Sequence, residues 1–311
     1  MDRVNMELRI GEHAGFCFGV RRAVCKAFEC AERQLPCVTL GPLIHNPQEV
    51  ERLEAAGVRS VSSLEEVLPG QTVIIRSHGV TPAVYEQCEA MGIPVIDATC
   101  PHVAHIHQLV KSYSENGDAV IIVGAADHPE VIGIAGWARG PVFILHDAQA
   151  AEAADLPERA LVVAQTTIRR DRFEEVLAVL RRRIHELTVR KTICAATSQR
   201  QEEAERLSRE ADVMIVVGGR NSSNTQKLYE TCALRCARSI LVETPEDVPD
   251  ALAAAGDRVA ITAGASTPQW LLEQVRARVE ESIRRIIQVI PGESRDSIYL
   301  YHIRALPGRD T

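Results

Sequence analysis

The chain has 311 residues, of which 46% are hydrophobic and 25% charged, as in an ordinary globular protein with room for two or three domains. The formal charge of −7 argues against a general nucleic-acid-binding role, which usually needs a basic face. No apolar run reaches the roughly 18 residues that span a membrane, and the first residues predict neither a signal peptide nor a transit segment, so we expect a cytoplasmic protein.

Strands and helices are predicted to alternate along the chain. The first third predicts strands at 7–10, 37–40, 58–61, 72–76 and 94–96 and helices at 18–33, 47–56 and 82–91. The second third predicts helices at 101–116, 129–138 and 170–187 and strands at 119–123, 141–145 and 160–164. The last third predicts helices at 198–210, 223–236 and 268–288 and strands at 212–217, 239–242 and 258–262. Short Val/Ile-rich strands between helices predict an α/β fold with mainly parallel sheets.

Three cysteines mark an internal repeat. Cys17, Cys100 and Cys194 each lie between a strand-like run and a helix, and His45, His128 and Ser222 each follow one of them by 28 residues. A second polar loop follows each cysteine by 61, 66 or 72 residues and carries His78, Thr166 or Ser266. We therefore predict three similar α/β domains around a pseudo-threefold central site. Their predicted bounds are 1–99 (with the N-terminal strand), 100–193 and 194–290, and a tail follows at 291–311.

The three in-phase thiols could converge on one metal centre. Thiolates hold iron–sulfur clusters, normally four per cluster, so three would leave one iron open for Lewis-acid chemistry. Taken singly, each cysteine could equally be a small buried side chain. The other six cysteines do not share the phase and are expected to be core or surface thiols. His102, His105 and His107 crowd the helix after Cys100, where a surface or groove face is expected rather than a metal site.

The polar loops could bind a diphosphate. His45, His78 and His128 lie beside Gly, Pro or Asn, whereas Ser222, Ser223 and Asn224 belong to a Gly-rich loop that opens a helix. Ser266 opens another helix in the same way, and helix N-terminal ends favour phosphates; plain helix capping is the alternative for each serine. Glu130 could act as a general acid or complement a helix dipole. Thr166 could relay its proton or simply end a strand.

These motifs together resemble those of the 4-hydroxy-3-methylbut-2-enyl diphosphate reductases, the last enzymes of the methylerythritol phosphate route to isoprenoids. The resemblance runs from Gly15 to about residue 290 and rests on these segments: GFCFGV, GPLIHNPQEV, RSHG, DATCP, HPEVIG, QTT, TICAATSQRQ, GGRNSSNTQKL and AGASTPQW. It implies an oxygen-sensitive [4Fe-4S] cluster held by Cys17, Cys100 and Cys194, with the fourth iron open to the substrate hydroxyl. Two electrons and two protons would remove that hydroxyl and give isopentenyl and dimethylallyl diphosphate.

The resemblance also implies residue roles. The diphosphate ligands would be His45, His78, His128, Ser222, Asn224 and Ser266, with Ser223 adjoining. Glu130 would supply protons, and Thr166 would contact the substrate hydroxyl. Because no dinucleotide fingerprint is present, a ferredoxin or flavodoxin is the expected electron donor. A bacterial cytoplasm is the expected compartment, with neither nucleic acid nor membrane as a partner.

Two other functions stay open at this point. An iron–sulfur hydro-lyase would also use three cysteines and an open iron, but it would turn over without a reductant. A non-enzymatic redox sensor would need the cluster alone, so the polar loops would be irrelevant to it. The shared phase of the loops argues against the sensor.

Overall fold

A computed structural model describes residues 6–288, with side chains as far as residue 286. The predicted tail at 291–311, including its strand-like segment 298–301, lies outside the described residues. The chain divides into two compact units. The middle unit is Phe18–Ala195, and the terminal unit is the described part of Met1–Cys17 and Ala196–Thr311.

Twelve strands are present in the described chain. They are β1 (Glu7–Ile10), β2 (Cys37–Leu40), β3 (Arg59–Val61), β4 (Thr72–Ile75), β5 (Val95–Asp97), β6 (Ala119–Val123), β7 (Val142–Leu145), β8 (Arg159–Ala164), β9 (Glu186–Val189), β10 (Val213–Val217), β11 (Ser239–Val242) and β12 (Arg258–Ala263).

Ten α-helices connect these strands within residues 6–288. They are α1 (Phe18–Glu32), α2 (Pro47–Ala55), α3 (Pro82–Ala90), α4 (Pro101–Tyr113), α5 (Pro129–Gly136), α6 (Ala148–Ala153), α7 (Arg170–Arg183), α8 (Ala195–Glu210), α9 (Ser223–Ala233) and α10 (Gln269–Gln288). No helix in this part of the chain combines the length and the apolar character needed to cross a membrane.

The strands form three parallel four-stranded sheets of the same topology, which confirms the predicted fold class. The middle unit holds the orders β3-β2-β4-β5 and β7-β6-β8-β9, and the terminal unit holds β11-β10-β12-β1. In each sheet the last strand of the order leads into a cysteine: β5 precedes Cys100, β9 precedes Cys194 and β1 precedes Cys17.

The N-terminal strand therefore completes the sheet of the last third of the chain. β1 pairs with β12 in the register Glu7↔Arg258 to Ile10↔Ile261. This pairing differs from the assignment of β1 to a domain at 1–99. The chain after β12 continues as α10, so the edge of this sheet is filled by the strand before the first cysteine. The boundaries at 99/100, 193/194 and 290/291 stay predictions.

The sheets are buried on both faces, as parallel sheets require. In β6, Ile121 and Val123 pack into one hydrophobic cluster with Phe173 of α7. Val120 and Ile122 pack into another cluster with Ile106 of α4. Because side chains alternate along a strand, the continuous Val/Ile run supplies both cores.

The prediction is wrong at two places in the second third of the chain, residues 148–153 and 184–189. Helix α6 was not predicted, and the helix predicted at 170–187 ends at Arg183, after which β9 begins at Glu186. β9 pairs with β8 in the register Arg159↔Glu186 to Val162↔Val189. Sheet pairing and the packing of Leu187 on the core outweigh the local helical pattern there.

Candidate active site

The predicted site residues are divided between the two units. Cys17, Ser222, Ser223, Asn224 and Ser266 belong to the terminal unit; Cys100, Cys194, His45, His78, His128, Glu130 and Thr166 belong to the middle unit. All of the loops concerned follow the carboxyl ends of strands, where open α/β sheets bind ligands.

The same backbone hydrogen bond ties each predicted cluster cysteine to a polar loop. The N–H of Cys100 donates to the Ser77 carbonyl at 3.0 Å, and the N–H of Cys194 donates to the Thr166 carbonyl at 3.1 Å. In the terminal unit, the N–H of Cys17 donates to the Ala265 carbonyl, also at 3.1 Å. Each cysteine is thus held against the second polar loop of the sheet whose edge strand precedes it, and that loop belongs to a different sequence repeat from the cysteine.

Burial separates these three cysteines from the other six. Cys17, Cys100 and Cys194 are half-buried, whereas Cys25 is exposed and the remaining five are buried. Burial and then the neighbouring Cys30 raise the pKa of Cys37 to about 11. Burial and then Cys236 raise the pKa of Cys232 to about 12. The six out-of-phase cysteines are therefore the core and surface thiols that were predicted.

The Cys100 thiol packs closely against the first turn of α1. A Cβ placed on Gly19, in the first turn of α1, would lie 2.5 Å from the Cys100 Sγ. Glycine at this position therefore permits the close approach of the Cys100 thiol to α1. Each of the three cysteines also lies directly before a helix, where the helix dipole favours negative charge. Thiolates at such positions suit an iron–sulfur cluster.

His45, His78 and His128 form one cluster of imidazole rings. The ring centroids are 4.7 Å apart for His45 and His78, 5.6 Å for His78 and His128, and 5.9 Å for His45 and His128. Burial, then the charges of His45, His128 and Arg76, lowers the pKa of His78 well below 6.5. Burial and then Arg76 lower the pKa of His45. These two rings are therefore neutral near pH 7 and each offers an N–H donor.

Glu130 and Thr166 form a buried hydrogen-bonded pair. The Glu130 carboxylate accepts from the Thr166 backbone N–H at 2.5 Å and from the Thr166 hydroxyl at 2.7 Å. The N–H of Glu130 donates to Nδ1 of His128 at 3.1 Å, so a neutral His128 carries its proton on Nε2. The pairing of β6 with β8 brings the two loops together.

A second polar group lies at the N-terminal end of α9. The Ser222 hydroxyl caps this helix by accepting from the Thr225 N–H at 3.3 Å, and the Ser266 hydroxyl donates to it at 3.2 Å. Asn224 is 8% exposed, and its Nδ2 has no hydrogen-bond partner within residues 6–288. A Cβ on Gly264 would lie 2.1 Å from the Thr225 Oγ1, so glycine permits this close approach of the two loops. The capping role expected as an alternative for Ser222 is present.

Two residues outside the predicted set, Arg76 and His107, lie beside the loop that carries His78. Arg76 directly precedes the Ser77-His78-Gly79 loop, a motif in which only His78 is predicted to act. His107 is 3% exposed and lines a groove together with Thr99 and Trp137, so it lies at a groove, one of the two positions predicted for it, and not on the open surface. Its ring stacks on Trp137 with centroids 5.4 Å apart, and a Cβ on Gly79 would lie 2.4 Å from its Cε1. Helical periodicity cannot reveal which face of α4 will meet a loop from a distant strand.

Comparison with known proteins identifies the family. The model of the family described as LytB protein matches residues 8–280. The 4-hydroxy-3-methylbut-2-enyl diphosphate reductase of Geobacter sulfurreducens is 46% identical over 278 residues, which cover 89% of this chain and 98% of the relative. The enzyme of the same name from Caldanaerobacter subterraneus subsp. tengcongensis is 42% identical over 279 residues, which cover 88% of this chain and 97% of the relative.

Solved structures agree with this result. A structure of (E)-4-hydroxy-3-methyl-but-2-enyl diphosphate reductase, described as the terminal enzyme of the non-mevalonate pathway, is 43% identical with a TM-score of 0.66, covering 88% of this chain and 99% of the other. The E-1-hydroxy-2-methyl-but-2-enyl-4-diphosphate reductase of Plasmodium falciparum is 27% identical with a TM-score of 0.82, covering 90% of this chain and 88% of the other. The chain belongs to the LytB family.

Proposed function

We propose that this chain reduces 4-hydroxy-3-methylbut-2-enyl diphosphate, removing its allylic hydroxyl as water with two electrons and two protons. The products are isopentenyl and dimethylallyl diphosphate. The names of the relatives support this reaction. The observation that carries it is the position of Thr166, whose hydroxyl donates to Glu130 at 2.7 Å and whose carbonyl accepts from the Cys194 N–H at 3.1 Å. One residue thus joins the proposed proton source to a proposed cluster ligand.

Cys17, Cys100 and Cys194 are the proposed ligands of a [4Fe-4S] cluster in which one iron has no protein ligand. When bound, the cluster supplies a Lewis acid for the substrate hydroxyl and the electrons for reduction. A ferredoxin or flavodoxin is the proposed donor of those electrons, and a bacterial cytoplasm is the proposed compartment. Turnover with a ferredoxin or a flavodoxin in place of a reduced dye tests the electron donor. Cell fractionation tests the compartment.

His45, His78 and His128 are proposed to bind the diphosphate through their ring N–H groups. Ser222, Ser223, Asn224 and Ser266 are proposed as further diphosphate ligands, since hydroxyl and amide groups at a helix N-terminal end suit phosphate oxygens. Binding at this end of the substrate positions its hydroxyl and retains the diphosphate, itself a good leaving group, while the hydroxyl departs.

Glu130 and Thr166 are proposed to handle the protons. The buried Glu130 carboxyl delivers protons to the reacting end of the substrate, and the Thr166 hydroxyl contacts the substrate hydroxyl. Because Thr166 holds both carboxyl oxygens, the direction in which Glu130 can deliver a proton is fixed before substrate binds.

The direct test is turnover of the cluster-loaded protein under strict exclusion of oxygen. A reduced viologen dye should be oxidised when the hydroxylated C5 diphosphate is added, with both C5 diphosphates formed. Cys194→Ser should lower the iron content and abolish turnover. The matched control is Cys88→Ala, because Cys88 is a buried thiol of the same unit. This variant should keep the iron content of the wild type.

Other outcomes would support the competing functions. Dehydration or hydration of the substrate without a reductant would indicate a hydro-lyase. Bound iron and sulfide without any turnover would contradict the reductase. Retention of the same cluster spectrum by His45→Ala and Ser222→Ala would then favour a redox sensor.

A further inference from the structure

Arg76 lies at the edge of the imidazole cluster and bridges two of its loops. It follows β4 directly, whereas His45 belongs to the loop after the paired strand β2. A Cβ on Gly41, the first residue of that second loop, would lie 2.8 Å from the Nη1 of Arg76. Gly41 has a φ of 71°, a conformation that favours glycine. The guanidinium therefore reaches from the His78 loop to the His45 loop across a space that only glycine leaves open.

The guanidinium is half-buried and its hydrogen-bonding capacity is incompletely used. Its Nε is buried and has no hydrogen-bond partner in the described part of the chain. Burial lowers the pKa of Arg76 below its usual value, although an arginine stays charged at neutral pH. Its charge contributes to the lowered pKa of both His45 and His78. The positive field of Arg76 therefore reaches the two rings.

This charge determines the kind of ligand that the imidazoles suit. One ring nitrogen from each of His45, His78 and His128 lies within 4.8 Å of the others, which is close enough to ligate a divalent cation. A fixed guanidinium beside neutral imidazoles repels a cation and attracts an anion. Neutral imidazoles alone would supply donors but no charge to balance a diphosphate.

We propose that Arg76 is a diphosphate ligand and supplies the fixed positive charge of the imidazole cluster. The planar guanidinium can donate two parallel hydrogen bonds to phosphate oxygens, which a lysine cannot do. This inference rests on the proposed function, because it assigns one more residue to the same substrate.

Calorimetric titration of the cluster-loaded full chain with inorganic diphosphate, without reductant, tests the proposal. Arg76→Gln should bind diphosphate about ten- to a hundred-fold more weakly, the range for one lost charge-assisted contact. Arg76→Lys should recover part of the affinity and keep its dependence on salt concentration. Arg182→Gln is the matched control, since Arg182 of α7 is 64% exposed and contacts Glu152; it should bind as the wild type does.

Thermal unfolding of each variant separates lost binding from lost folding. Should Arg76→Gln not fold, Arg76→Lys provides the second comparison, with an expected loss of at least about threefold. Binding by Arg76→Gln within twofold of the wild type, or an equal loss in Arg182→Gln, would overturn the inference. If the wild type reduces the substrate but the Arg76 variants bind diphosphate as tightly as the wild type, the inference about Arg76 is refuted and the proposed function stands. Arg76-dependent binding without any reduction would refute the proposed function alone.

Discussion

Glu130→Gln separates proton supply from folding. Glu130 is 2% exposed, and its carboxylate accepts from the N–H and from the hydroxyl of Thr166. A glutamine carbonyl can still accept from the fixed N–H. The glutamine NH₂ then faces the hydroxyl, which can rotate to become the acceptor. We therefore expect Glu130→Gln to cost less than about 1 kcal/mol of unfolding free energy.

The expected loss of turnover is much larger. A positioned general acid contributes about 10²- to 10⁴-fold to a rate, which corresponds to roughly 3 to 5 kcal/mol of barrier. Since the substitution removes the proton but leaves the imidazole cluster in place, kcat should fall by this factor and KM should change little.

Viologen oxidation at several substrate concentrations gives both parameters, and urea unfolding gives the stability. Glu49→Gln is the control: Glu49 is equally buried in the first turn of α2, but its carboxylate contacts Arg52 at 2.8 Å. Its kcat should stay near the wild-type value. A Glu130→Gln enzyme whose kcat lies within threefold of the wild type would refute the assignment of Glu130 as the proton source.

Three further predictions concern the residues around the two polar groups. Burial lowers the pKa of His107 to about 4, so the unfolded chain takes up this proton first. The contribution of His107 to the unfolding free energy is complete above about pH 6.5 and falls by about 3 kcal/mol towards pH 4. His107→Gln should therefore reduce the slope of the unfolding free energy against pH between pH 6.5 and 5. An unchanged slope would contradict the burial argument. Gly79→Ala should destabilise the fold by at least about 2 kcal/mol more than Gly92→Ala. Both glycines have φ near 70°, but only at Gly79 would the new methyl group clash with the His107 ring. Equal urea midpoints for the two variants would contradict this prediction. Ser222→Ala should cost about 1 kcal/mol of stability through the lost helix cap and raise KM about tenfold with a smaller change in kcat; steady-state kinetics showing an unaltered KM would remove Ser222 from the diphosphate ligands.

Local patterns were enough to predict most of the fold. Prolines at the first position of α2, α4 and α5 and buried Val/Ile runs such as β6 are signals carried by adjacent residues. The same local signals fail at β9, whose strand conformation depends on pairing with β8. They also say nothing of the partner of β1, because a parallel pair joins segments that are far apart in the chain.

The candidate site divides in the same way. Spacing alone determined that Cys17, Cys100 and Cys194 belong to equivalent positions and that polar loops follow the strand ends, because parallel strands present their carboxyl ends at one edge of a sheet. Only the tertiary structure decided that Thr166 donates hydrogen bonds to both carboxylate oxygens of Glu130. It also decided that His107 lies buried against Gly79 and that the Arg76 guanidinium reaches the His45 loop. Those contacts, and the lowered pKa values that accompany them, depend on distances between residues remote in sequence, which a one-dimensional pattern does not contain.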